Sequence, residues 1–220
     1  MTADAGLGYW RQRWETGQTA FHEGKPNDLL VEHAALLAGA ARVLVPLAGK
    51  SHDLHALAAA GHDVVGVEGV ELACRQFFDE ARLPYTEAAP GRFRARGGRI
   101  ELVRANFFDA ARIGLGTFDA VWDRAALIAV DPADRARYAD VIRALVRPRG
   151  RVLVVTFAYD QSLFAGPPWS LDAAALRALF LPRGFVATPV AAGAVAPNEK
   201  LRAAGVRDIR EELVLLTRTG

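Results

Sequence analysis

The chain has 220 residues, 51% of them hydrophobic and 24% charged, the balance of one globular domain that buries a core without staples. Its 27 basic and 25 acidic side chains leave a net charge of +2, and arginine alternates with aspartate and glutamate instead of gathering into a stripe, which argues against a nucleic-acid partner. A single cysteine, Cys74, excludes an intramolecular disulfide framework and a cysteine-cluster metal site.

Elements follow in chain order. The amino-terminal residues run into Arg11, Arg13 and Glu15 without the apolar core of a secretion signal. No apolar run reaches the ~20 residues that cross a bilayer. A soluble, cytoplasmic protein is expected, with no membrane partner. Roughly the first 40 residues precede any strand pattern and read as a helical cover; the sheet core is expected over 41–220 of one domain spanning 1–220. Arg42–Leu47 is a short, bounded, mostly β-branched run, the pattern of a buried parallel strand. A helix is predicted over 51–60, ended by Gly61, then a strand at 63–67 and a helix over 70–81 that stops before Pro84. The segment 84–98, rich in glycine, proline and arginine, reads as an excursion of the hairpin kind.

Further strands are predicted at 100–104, 118–123 and 151–156, with a helix over 132–146 that Asp131 and Pro132 open as cap and first residue. A helix near 172–181 and strands near 185–190 and 211–217 close the chain, the last two as an antiparallel hairpin at one edge. Alternating strands and helices predict an α/β fold, a Rossmann-like sheet with helices on both faces.

In such sheets ligands bind beyond the carboxyl ends of the strands. There the first strand delivers Pro46-Leu47-Ala48-Gly49-Lys50-Ser51, and the second delivers Glu68. The step from Gly49 to Glu68 is close to the ~20 residues that set a ribose-binding carboxylate beyond the first turn. The turn lacks the G-x-G-x-x-G that lets a backbone approach a pyrophosphate, so a nucleoside without phosphates suits it better than NAD. A solvated acidic turn would read the same way. A P-loop is excluded because Gly49-Lys50-Ser51 has no glycine at the required upstream position.

Several segments together carry more. Tyr9-Trp10, Trp14, Gly17 and Thr19-Ala20-Phe21-His22 are followed by Val45–Ser51, Gly61–Glu68 and Phe77-Phe78. Phe107-Phe108-Asp109, Asp123-Arg124-Ala125-Ala126-Leu127, Tyr159-Asp160 and Gly166-Pro167-Pro168 come next in order. This series resembles the thiopurine S-methyltransferase family over about residues 9–216.

The resemblance implies a class I methyltransferase sheet of seven strands with the last one antiparallel, and S-adenosyl-L-methionine as cofactor with S-adenosyl-L-homocysteine as product. It places Trp10, Leu47, Glu68, Asn106, Phe107 and Arg124 at cofactor-binding positions, with Gly49 in the turn, and Phe21 in the wall of the cavity. Ala48 stands where relatives often have cysteine, Gly69-Val70 where a serine is common, and Asn106 where the polar residue near adenine varies. The implied acceptors are small aromatic or heterocyclic thiols, with selenium and tellurium compounds also in reach. A halide or thiocyanate methyltransferase of the same fold is the nearest rival, and a nucleoside-binding module without catalysis is the other.

Methyl transfer from a sulfonium is an in-line displacement, and a correctly posed pair gains roughly 7–11 kcal/mol over a free encounter. A thiolate is already a strong nucleophile, so no catalytic triad is expected. Arg124 can hold an anionic acceptor or lower a thiol's pKa, with Asp123 beside it as a second catalytic candidate; alternatively Arg124 pairs with Asp123 or Glu68. Trp10 and Trp14, four residues apart, share a helical face that can seal the site or simply anchor the cover. Phe21, Phe107 and Trp169 offer an apolar slot for a flat acceptor, with Trp14 a further substrate-binding candidate that reads mainly as packing; each of the slot aromatics is more often core than pocket. His22 reads as a turn residue, and His52 with His55 as a solvated face with no third metal ligand placed. Cys74 reads as a buried, inert thiol, and nothing in the pattern demands more than a monomer.

Overall fold

The protein is described by a computed structural model over residues 3–19 and 22–220. Phe21 lies outside those residues. The contacts divide the chain into two compact units, Met1–Val121 and Trp122–Gly220.

The first unit opens with helix α1 (Ala3–Glu15) and the short helix α2 (Asp28–Glu32), followed by a 3-10 turn at Ala34–Leu37. Its strands are β1 (Arg42–Pro46), β2 (Asp63–Glu68), β3 (Tyr85–Ala89), β4 (Arg92–Ala95), β5 (Ile100–Arg104) and β6 (Phe118–Asp123), which crosses the division. Helices α3 (Asp53–Ala59) and α4 (Glu71–Glu80) connect the early strands. The strand order is β3-β4-β5-β2-β1-β6, with β5, β2, β1 and β6 parallel. Parallel pairing brings the carboxyl ends of these strands to one edge. Val43, Leu44, Val64, Val67 and Leu102 are buried with almost no exposure, as near-continuous apolar strands of a covered sheet must be. Helix α4 buries Ala73, Cys74, Phe77 and Phe78, one stripe at helical spacing.

The second unit contains α5 (Arg135–Leu145), β7 (Val146–Ala158), α6 (Ala173–Phe180), β8 (Phe185–Val195), α7 (Glu199–Ala203) and β9 (Ile209–Arg218). Here β9 lies antiparallel between β7 and β8. The expected edge hairpin is present, and Asp131 caps the turn at Pro132–Asp134 by accepting from the Ala133 N–H.

The described strands number nine, not the seven expected. The extra pair is β3 and β4, which the glycine- and arginine-rich segment forms by folding back on β5. Phe93 and Ala95 point inward while Arg92 and Arg94 flank them, and the Phe93 ring meets Tyr85 at 6.1 Å, itself stacked on Phe78 at 4.6 Å. Cross-strand aromatics of this kind stabilise a ribbon whose charged faces disguise it in sequence. Strand β8 also runs past Val190, because the register shifts between Pro189 and Ala191 and absorbs the proline's missing donor. Among the described residues no helix is long and apolar enough to cross a membrane.

Candidate active site

In the first unit the ends of β1, β2 and β5 meet around Glu68. Beyond β1 the chain turns at Leu47, whose φ of 45° places a leucine in the left-handed region. A non-glycine residue held there costs of order 1–3 kcal/mol, and such strain concentrates at ligand-binding turns. Gly49 follows with φ 52°, and a Cβ on it would stand 3.2 Å from the Trp14 indole. The turn therefore needs glycine both for its backbone and for the ring packed on it.

Glu68 is buried, and both its oxygens face backbone donors. The Gly49 N–H donates to Oε2 at 2.9 Å and the Val70 N–H donates to Oε1 at 2.7 Å. Burial raises the Glu68 pKa above the ordinary carboxylate value, while the N–H groups of Val70, Gly49 and Gly69 oppose that shift. A carboxylate has about four acceptor positions, so capacity for ligand hydroxyls is left after the backbone bonds. The carbonyl of Glu68 accepts from Ala105 N–H at 3.0 Å, tying the end of β5 to the end of β2. Asn106 follows, accepting from the Phe108 N–H at 3.1 Å and so starting the 3-10 turn that buries Phe107.

Trp14 is buried in a cluster with Val70 and Ala73, with Trp10 half-buried against it. The amino-terminal helix thus covers the Glu68 turn through two indoles one helical turn apart. Lys50 sits 5.9 Å from the Trp14 ring and pairs with Glu80 at 2.7 Å. Leu47, Gly49, Glu68, Asn106, Phe107, Trp10 and Trp14 all belong to this neighbourhood of strand ends and cover.

In the second unit Asp123 ends β6 as a buried carboxyl group. Its Oδ1 accepts from the Leu127 N–H at 3.0 Å and its Oδ2 from the Tyr138 hydroxyl at 2.7 Å. Burial pushes its pKa up to about 6 against these hydrogen bonds. Arg124 follows half-buried, and Ala125 takes φ 61°, a second strained turn at a strand end. The Trp169 N–H donates to the Ile128 carbonyl at 2.7 Å, so the Trp169 segment lies against the turn that carries Arg124. Tyr159 Oη donates to the Pro168 carbonyl at 2.6 Å, Gln161 accepts from the Ser170 N–H at 2.6 Å, and Arg135 donates to the Ser170 carbonyl at 3.3 Å.

Sequence reasoning passed over Tyr138 and Arg135, and named Tyr159 only as part of a motif. For Tyr138 a signal existed: a hydroxyl on the apolar stripe of a helix must find a partner when buried.

A Cβ on Gly166 would stand 2.4 Å from the Trp169 indole, and φ there is 74°. Gly166→Ala is expected to displace the ring and lower the melting temperature by about 5 °C, read by thermal denaturation followed by tryptophan fluorescence. An unchanged melting curve would show that the segment yields without cost.

His22 stacks on His52 at 5.6 Å, and His55 stacks on Phe77 at 4.6 Å. Burial and the neighbouring His52 hold the His55 pKa below its usual value. Among the described residues no group of three or more histidine, cysteine or acidic side chains is placed to hold a metal ion. Cys74 is buried, and desolvation raises its thiol pKa far above the usual value, the state of an inert thiol.

A family model described as thiopurine S-methyltransferase matches residues 5–219. The chain is 37% identical over 217 residues to the mouse (Mus musculus) thiopurine S-methyltransferase, covering 94% of this chain and 90% of that protein. It is 45% identical over 175 residues to the thiopurine S-methyltransferase of Xanthomonas campestris pv. campestris strain 8004, covering 78% and 80%. In fold it is similar to the 1,6-didemethyltoxoflavin-N1-methyltransferase of Burkholderia thailandensis, solved with S-adenosylhomocysteine (TM-score 0.65, 21% identity, 97% and 87% covered). The magnesium protoporphyrin IX methyltransferase of Synechocystis PCC 6803, solved with bound S-adenosylmethionine, matches with TM-score 0.66 at 16% identity, covering 97% of each chain. The chain belongs to the thiopurine S-methyltransferase family and is an S-adenosylmethionine-dependent methyltransferase.

Proposed function

We propose that the protein moves the methyl group of S-adenosylmethionine to the sulfur of small aromatic or heterocyclic thiols, with thiopurines as type acceptors. The observation that carries the cofactor half is the Glu68 carboxylate, buried, held by backbone donors and set beside a strained, glycine-dependent turn. In this reading Glu68 accepts from the ribose hydroxyls. Leu47 and Gly49 shape the turn against the nucleoside, and Asn106 with Phe107 borders the adenine. Trp10 and Trp14 close the site to water, and an indole face favours the sulfonium.

For the acceptor, Arg124 holds the thiolate or lowers the thiol pKa by its charge, and Trp169 offers a flat apolar surface. Asp123, with both oxygens already engaged, works by holding the turn and not by touching the acceptor. The cofactor brings the electrophilic methyl group; the chain's own residues align the acceptor and exclude water. The whole chain acts as one domain, as a cytoplasmic monomer with a small-molecule acceptor and neither nucleic acid nor membrane as partner.

The test is a panel of aromatic thiols, halides, thiocyanate and selenite with S-adenosylmethionine, volatile products being read by headspace mass spectrometry. Arylthiols are expected to turn over fastest, and Arg124→Ala to lower their turnover at least tenfold with unchanged circular dichroism. Faster methylation of halides than of thiols would replace the reading; normal turnover by Arg124→Ala would remove Arg124 from the site.

A further inference from the structure

Helix α5 carries two polar side chains three residues apart on one face, Arg135 and Tyr138. Arg135 donates to the carbonyls of Ser170 at 3.3 Å and Trp169 at 3.5 Å. Tyr138 is fully buried and donates its hydroxyl to Asp123 Oδ2 at 2.7 Å. One helical face therefore supports both the segment with Trp169 and the turn with Arg124.

The Asp123 carboxylate is the link. Its other oxygen accepts from the Leu127 N–H at 3.0 Å, closing a loop around Arg124, Ala125 and Ala126. Within that loop Ala125 has φ 61°, a conformation that an alanine keeps only when its surroundings fix it. A hydroxyl that merely filled the core would be an expense, because burying it without a bond costs free energy that a phenyl ring avoids. The hydroxyl here is bonded, aimed at the carboxylate whose second oxygen shapes the turn.

We propose that Tyr138 is a positioning residue for methyl transfer: through the Asp123 carboxylate it sets the turn that presents Arg124 to the acceptor. The proposal rests on Arg124 facing the acceptor, which Arg124→Ala tests by itself. With Tyr138 in place, the carboxylate is held from both sides and the strained turn has one arrangement. Without the hydroxyl, Oδ2 loses its donor, the carboxylate rotates or takes up a proton, and the turn relaxes among several arrangements. Misplacing a group that faces the acceptor costs turnover more than it costs binding of S-adenosylhomocysteine.

The experiment is a double-mutant cycle of Tyr138→Phe and Asp123→Asn, with kcat and KM measured for an aromatic thiol and S-adenosylhomocysteine affinity measured by calorimetry. Tyr138→Phe is expected to lower kcat about tenfold, while the S-adenosylhomocysteine dissociation constant stays within about twofold. On the Asp123→Asn background the same change is expected to cost less than about twofold, since the group it works through is already altered. Wild-type kcat in Tyr138→Phe would overturn the proposal, and so would an equal loss in both backgrounds, the mark of a general packing role. Should Tyr138→Phe fail to fold, Asp123→Asn alone decides, because it removes the carboxylate without changing shape, and full turnover by that variant sinks the idea. If Arg124→Ala keeps normal turnover while the cycle shows coupling, the acceptor reading of Arg124 fails and the coupling stands on its own.

Discussion

Glu68→Ala is expected to raise the dissociation constant for S-adenosylhomocysteine at least ~100-fold, measured by calorimetry at pH 7.5, with the circular dichroism spectrum unchanged. Two losses combine. The ribose hydroxyls lose a charged acceptor in a buried place, where such bonds are stronger than in water. The N–H groups of Gly49 and Val70, which now donate to the carboxylate at 2.9 and 2.7 Å, lose their partner as well, so the turn that frames the nucleoside is released. Glu68→Gln keeps the length but turns an amide donor toward one of those N–H groups, so it is expected to fare little better. The binding should also depend on pH in one direction. Burial raises the Glu68 pKa, and a protonated carboxyl would present its own hydrogen to a ring of donors. Affinity therefore falls on acidification, starting at a higher pH than an ordinary glutamate would give. Equal affinity in wild type and Glu68→Ala, across that range, would take the ribose role away from Glu68.

How much of this was open to reading in the residues alone depends on the kind of signal. Strands β1, β2, β5 and β6 are apolar runs bounded by breakers, and such runs declare themselves because a sheet covered on both faces needs them. Glu68 and Gly49 were legible for a related reason: a βα unit has a fixed length, so a turn and an acid one unit apart land on the same edge. The β3–β4 hairpin was legible as an interruption but not as part of the sheet. Its arginines at 92, 94 and 96 advertise solvent, while the contact of Phe93 with Tyr85 across the hairpin and of Tyr85 with Phe78 on helix α4 follows from the tertiary fold and from no local pattern.

The same distinction separates Arg124 from its supports. Arg124 stands in a motif, whereas Tyr138 is tied to Asp123 by a hydrogen bond across 15 residues that no periodicity encodes. The left-handed conformations of Leu47 and Ala125 were equally hidden, since neither residue type asks for one. Strain of that sort is imposed by the surroundings and has no signature in the strained residue itself.

Asp123→Asn is expected to make the protein more stable at pH 8 and less active, and the sign follows from the carboxyl group's pKa. Burial lifts it to about 6 in the folded chain, against about 4 for an unfolded aspartate. The folded state thus holds the proton more tightly than the unfolded state does. The stability this provides is fully present below about pH 4 and is lost as pH rises through about 6. At pH 8 the ionised carboxylate costs about 3 kcal/mol relative to its protonated form. Asparagine is the neutral isostere: its oxygen still accepts from Leu127, and its amide can donate to the Tyr138 oxygen. The variant should therefore melt several degrees above the wild type at pH 8, and the gap should close as the pH is lowered from 6 toward 4. A gap of constant size, or a less stable variant at pH 8, would show that Asp123 carries no such cost. Turnover should move the other way, down about tenfold, because an amide reverses the bond to Tyr138 and loosens the turn that holds Arg124. A buried charge that weakens the fold makes sense at the end of a strand where its ionised form orders a catalytic turn, an exchange of stability for activity.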